Sequence, residues 1–145
     1  MTPSEWLVLA VDLAHPRSLQ PVQLQKCLFL LDRKLSPQQK GVTQIYAFTP
    51  YDYGPFDSAI YTDAEVLARS GQLEIYKPQG QSYKHYKISA DGRRLADQIA
   101  HKLDPAVVEY ARSIVKWTQG LSFNQLVSAV YKEFPDMKVN SVFRG

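Results

Sequence analysis

The residues of this 145-residue chain whose types could do chemistry are three histidines, one cysteine, two closely spaced aspartates and a tyrosine-rich turn. His15, His85 and His101 have no histidine one helical turn away, so their spacing carries no metal-binding pattern. Cys27 stands alone, which excludes an intramolecular disulfide and a cysteine-based zinc site. Within an apolar helical stripe it reads as a small buried hydrophobe rather than a nucleophile. The seven glycines stand singly and form no phosphate-cradling loop. Asp52 and Asp57 make a carboxylate pair in principle, but no third acid or metal pattern accompanies them. The expectation is a chain that is not an enzyme, with no catalytic residue, no metal and no cofactor.

What remains is the run Thr49-Pro50-Tyr51-Asp52-Tyr53-Gly54-Pro55-Phe56. Tyrosine rings are rigid, amphipathic and cheap to order, which suits the centre of an interface. The same rings would serve equally as packing over the junction of neighbouring helices, with Asp52 capping a turn. On the interface reading, Tyr51, Tyr53, Phe56, Tyr61 and Glu65 form an acidic, aromatic partner-binding surface.

The charge is uneven. The chain carries +3 overall, yet between Arg69 and Lys102 seven basic residues stand against three acids, a segment charge of +4. Such a segment on a near-neutral body can meet phosphate or an acidic protein face, and it can equally be solvated surface. If it meets nucleic acid, the candidate contacts are Lys77, Lys84, His85, Lys87 and Arg93. The length and the 45% hydrophobic share fit one domain, residues 1–145, with a core of its own. No apolar run approaches the ~20 residues that span a bilayer. With Glu5 where a secretory leader would be basic, the expectation is a cytoplasmic protein without a membrane partner.

Those residues need elements to position them. Thr2-Pro3-Ser4-Glu5 is a capping box that opens a first helix, ended by His15-Pro16. Pro21 opens a second, with Leu24, Cys27, Leu28, Leu31 and Leu35 as its stripe, and Phe29 and Leu30 beside it mark it as central. Thr43 to Phe48 is expected to be a strand from its β-branched and aromatic content. A helix follows from Asp57 to Ser70, then a hairpin of Leu73–Lys77 and Tyr83–Ile88 with a Pro/Gly tip. Ser89, Asp104 and Ser122 cap three further helices, with Trp117 facing inward in the middle one.

This order is that of a winged helix-turn-helix core (1–92) with a helical extension (93–145), an α+β, mostly α chain. The run Tyr86, Ile88, Ser89, Gly92 and Leu95 resembles the wing and following helix of bacterial winged-helix proteins. Leu24-Gln25-Lys26, the Tyr53-Gly54-Pro55-Phe56 turn, Asp63, Leu67, Gly71, Leu73 and the closing Leu121, Leu126, Val130, Tyr131 and Pro135 resemble the SocA-like (Panacea) antitoxin domain family over nearly the whole chain. That resemblance implies a non-catalytic module that binds a toxin-like protein, or delivers one for proteolysis, and it assigns no active site. The alternative is a DNA-binding regulator that touches phosphate through its wing. The helix that would enter the groove carries Asp57, Asp63 and Glu65 against Arg69, a sign that the DNA backbone repels. A homodimer is compatible with either.

Overall fold

The structure, a computed structural model, describes residues 1–144. Pro3 sets φ at the first position of α1 (Pro3–Ala14), while Thr2 Oγ1 accepts the Glu5 amide and the Glu5 carboxylate accepts the Thr2 amide. Helix α2 (Pro21–Lys34) likewise starts on a proline, with Gln23 reaching back to the Gln20 amide. A single turn, α3 (Pro37–Lys40), follows and ends on Gly41. Two hairpins flank α4 (Ala59–Arg69): β1 (Thr49–Tyr51) with β2 (Gly54–Phe56), and β3 (Leu73–Tyr76) with β4 (His85–Ile88). Then come α5 (Ala90–Ala100), α6 (Pro105–Gln119), α7 (Phe123–Glu133) and a 3-10 turn, Pro135–Lys138. The expected caps at Ser89, Asp104 and Ser122 each accept an amide of the first helical turn. The described chain is thus mostly helical, with two small antiparallel sheets.

The core forms around α1 and α2. On α2 every residue from Gln23 to Leu31 is buried, because α1, α6, α7 and the β2 strand cover it from different sides. Val107, Ala111, Ile114 and Val115 of α6 and Leu126 and Val130 of α7 belong to the same apolar cluster as Trp6, Leu24 and Leu28. Helices α5, α6 and α7 therefore contribute to the same core as α1 and α2. Trp117, expected to face inward, is instead 46% exposed, since the α6 stripe that meets the core runs through Val107, Ala111, Ile114, Val115 and Thr118.

The expected strand over 43–48 does not form; that segment is irregular. Its amides go to side chains instead of a ladder: Ile45 N donates to Asp32 Oδ1 at 2.8 Å and Ala47 N to Asp57 Oδ2 at 2.9 Å. Ile45 and Tyr46 are buried, and the Tyr46 hydroxyl donates to Asp63 at 2.6 Å. The apolar content that suggests a strand serves burial alone. Strand pairing begins only at Thr49, so the tyrosine-rich turn is itself a hairpin.

The second hairpin pairs Leu73 with Ile88 and Tyr76 with His85. On its other side Leu19 exchanges two backbone hydrogen bonds with Tyr86, each 2.8 Å. Helix α5 starts directly against this hairpin. Ser89 Oγ donates to the Gln72 carbonyl, and a Cβ built on Gly92 would lie 2.0 Å from that same oxygen and 2.6 Å from Ile88 Cδ1. No alanine fits there without moving backbone. Gly92→Ala should therefore lose about 3 kcal/mol or more in urea denaturation. Gly120→Ala, at φ −77° with no heavy atom closer than 3.5 Å, should stay within about 0.5 kcal/mol of wild type.

Candidate functional site

The first hairpin is held from beneath by α2. Strand register sets Thr49 opposite Phe56, Pro50 opposite Pro55 and Tyr51 opposite Gly54. Asp52 and Tyr53 make the turn without a positive φ, and the positive φ (+106°) falls on Gly54. A side chain at Gly54 would also crowd Tyr131 Cε1 at 3.2 Å and approach the Lys26 side chain. The Gln25 amide then clamps the hairpin exit in both directions: Nε2 donates to the Asp57 carbonyl and Oε1 accepts the Asp57 amide, each at 3.0 Å. Asp57 itself accepts the Ala47 and Ala59 amides, so it organises the backbone here.

Aromatic rings spread from the hairpin in two directions. Tyr51 stacks on Phe56 with centroids 4.8 Å apart, Phe56 meets Tyr61 edge-on at 5.8 Å, and Tyr61 lies nearly parallel to Tyr86 at 6.2 Å. On the other side Tyr53 meets Phe123 of α7 at 5.1 Å. Phe143 bridges Phe123 and Tyr131, while Val142 N donates to the Asp52 carbonyl at 2.9 Å and ties residues 140–143 along the turn. Tyr51 and Tyr53 remain 52% and 44% exposed although their rings are packed edge and face against neighbours. They are rigid and wet at once, the condition of a preorganised contact surface.

Between these rings and α2 lies a cleft of about 240 Å³, lined by Val22, Lys26, Tyr51, Tyr53, Phe56, Tyr61 and Phe123 among others. Lys26 is 3% exposed and donates to the Pro55 carbonyl at 3.2 Å. Burial pushes its pKa down to about 8.

The five residues expected at a partner surface thus divide. Tyr51 and Tyr53 are presented outward, while Phe56 and Tyr61 are half-buried and hold them. Glu65 is half-buried on α4 and paired with Lys84 at 3.0 Å, so a residue of the acidic surface and one of the basic segment neutralise each other. Of the other nucleic-acid candidates, Lys77 is exposed and Lys87 half-exposed opposite Glu74. His85 is buried, its Nδ1 2.7 Å from Ser18 Oγ and its Nε2 2.6 Å from Gln81 Oε1, so its ring nitrogens are already engaged. Arg93 sits on α5, not on the hairpin, with Nε 3.3 Å from Asp12 Oδ1 at ion-pair distance but without hydrogen-bond geometry. Cys27 is fully buried, and burial pushes its thiol up to about 12.

Sequence reasoning missed Lys26, Gln25 and Phe123 as members of the site. The available signal for Lys26 was that Phe29 and Leu30, its neighbours one turn on, are both apolar. Phe123 carries no such signal, because nothing local relates it to Tyr53. Among the described residues no group of three His, Cys, Asp or Glu could hold a metal, and no helix is long and apolar enough to cross a membrane. Compared with known proteins, the chain matches no family model, no curated protein and no solved structure.

The low pKa of Lys26 has a signed consequence. Unfolded, this lysine would titrate near 10.5, so between about pH 8 and 10 the unfolded chain binds more protons at this site and stability rises with pH. Below pH 8 both states carry the charge and the burial cost is fully present. Lys26→Met should remove that rise, flattening the wild-type increase of up to about 3 kcal/mol when urea midpoints are compared across pH 7–10. Above pH 10 the buried tyrosines Tyr46 and Tyr86, whose pKa values are raised, turn the trend down in both proteins.

Proposed function

We propose that this chain is a non-catalytic protein-interaction module that covers a functional face of a partner protein, in the manner of an antitoxin or a delivery adaptor. The observation that carries the reading is the pair of exposed, packed rings at the hairpin tip, Tyr51 and Tyr53, with Phe123 beside them. Aromatic anchors held rigid before contact lose little entropy on binding. The resemblance of the Leu24-Gln25-Lys26 and Tyr53-Gly54-Pro55-Phe56 motifs to SocA-like antitoxin domains points the same way. The mechanism is steric, and the partner supplies whatever chemistry is blocked or delivered.

A second reading has one observation in its favour. The Leu19–Tyr86 bridge adds a third extended segment to the β3–β4 hairpin beside α1, α2 and α4, which supports a winged-helix reading. In that frame β3–β4 is the wing and α4 the helix that faces DNA. The charge on that face is weak: Lys84 is paired with Glu65, His85 is buried, and α4 carries Asp63 and Glu65. Phosphate contact would rest mainly on Lys77 and Lys87.

Two experiments separate the readings. The product of the adjacent reading frame, titrated against wild type and a Tyr51→Ala, Tyr53→Ala double variant, should bind the variant at least about tenfold more weakly. The melting temperature should fall by no more than about 10 °C, the cost of two half-exposed ring contacts, which leaves the variant folded at the assay temperature. Unchanged affinity would remove this surface from the interface. Fluorescence anisotropy on a labelled random duplex should show a shallow salt dependence, with a log–log slope no steeper than about −3. A steeper slope would put the regulator reading first.

A further inference from the structure

Two lysines are buried in this chain, and they are treated differently. Lys40 has its counter-ion: Nζ donates to Asp32 Oδ1 at 2.9 Å and to the Asp32 carbonyl at 2.6 Å. Lys26 has none. Among the described residues no carboxylate lies within ion-pair distance of it, and its three N–H groups share one protein acceptor, the Pro55 carbonyl. A buried ammonium without an anion is costly to the fold, and methionine or leucine would fill the same helix position without that cost.

The little of Lys26 that stays exposed borders an opening. Lys26 lines the cleft between α2, the first hairpin and the start of α7, whose other walls are mainly Tyr51, Tyr53, Phe56, Tyr61 and Phe123. The residue above the ammonium is glycine: a Cβ on Gly54 would sit 3.6 Å from Nζ, so the turn passes over the charge without covering it with a side chain. The cleft's one acid, Asp52, makes no ion pair with Lys26 and offers its carbonyl to Val142 N and Ser141 Oγ. At about 240 Å³ the space suits a single residue-sized body rather than a long segment. Flat apolar walls select an aromatic or branched apolar body, and one desolvated ammonium with free N–H groups selects a single anionic oxygen pair.

We propose that this cleft is a binding site for a carboxylate carried on a small aromatic or apolar body, with Lys26 as its counter-ion. The proposal does not depend on the partner-binding reading, since a chain with no protein partner would still hold this site. The same chemistry has two sources, a free aromatic acid or the last residue of another chain. The probes that distinguish them are 3-phenylpropionate and the peptide acetyl-Gly-Gly-Phe with a free C-terminus, each followed by amide and lysine-side-chain NMR on the full chain.

The expected result is a Kd in the low millimolar range for the free acid, as befits its size, with shifts at Gly54, Tyr61 and Phe123. The neutral isostere 3-phenylpropanol should bind at least about tenfold more weakly, and so should the acid to Lys26→Met. Tight, Lys26-dependent binding of the peptide alone would support the site and assign it to a chain end. The alcohol comparison is made on wild type, so the proposal remains testable if Lys26→Met fails to fold. Equal binding of acid and alcohol, shifts confined to another surface, or no binding of either probe at about 10 mM would overturn it.

Discussion

Nine consecutive residues of α2, Gln23 to Leu31, are buried, and everything around the hairpin follows from that. An amphipathic helix buries one stripe and leaves the polar face solvated; a helix covered all round must find internal partners for each polar side chain it carries. Here those side chains are Gln23, which takes the Gln20 amide, and Gln25 and Lys26. Gln25 solves its requirement by pairing with the backbone of Asp57 as a neighbouring strand would, and Lys26 by reaching the Pro55 carbonyl. Both partners lie at the end of the first hairpin. The hairpin is therefore part of the solvation of α2, and its aromatic surface is rigid because the helix beneath it needs those carbonyls and amides where they are.

The second buried lysine shows what the alternative looks like. Lys40 and Asp32 form a closed unit whose carboxylate also takes the Ile45 amide, and Lys40 offers its own carbonyl to Trp6 Nε1 at 2.7 Å. That network spends a charge pair on holding an irregular segment, 41–48, against α1 and α2. It is complete within the chain. The Lys26 environment is not, and the difference between the two is one of composition rather than depth.

Much of the frame is legible from local chemistry. Thr2, Ser89, Asp104 and Ser122 announce helix starts because a cap is a contact over three residues, and Pro3, Pro21 and Pro105 agree with them. The Leu73–Ile88 hairpin is legible from its Pro/Gly tip. The strand expected at 43–48 was not legible because β-branched and aromatic residues report burial as much as pairing, and the carboxylates that capture Ile45 N and Ala47 N come from 13 and 10 residues away. Trp117 misleads for a related reason: helical spacing places a residue on a face, but only the packing of α6 on α1 and α2 decides where that face ends. The tyrosines of the site were visible as residue types. Their division into presented rings and supporting rings was not, since it depends on Phe123 and Phe143, far along the chain.

Residues 140–143 give this arrangement a place in time. Asn140 Nδ2 donates to the Pro50 carbonyl, Ser141 Oγ and Val142 N to that of Asp52, and Phe143 completes the ring contacts of Phe123 and Tyr131. During synthesis the tyrosine hairpin leaves the ribosome early, while the strap that fastens it leaves some ninety positions later. Until then α2 has no α7 or tail over that side, and the hairpin lacks its outer support. The hairpin of a nascent chain thus stands without these outer contacts until residues 140–143 have emerged.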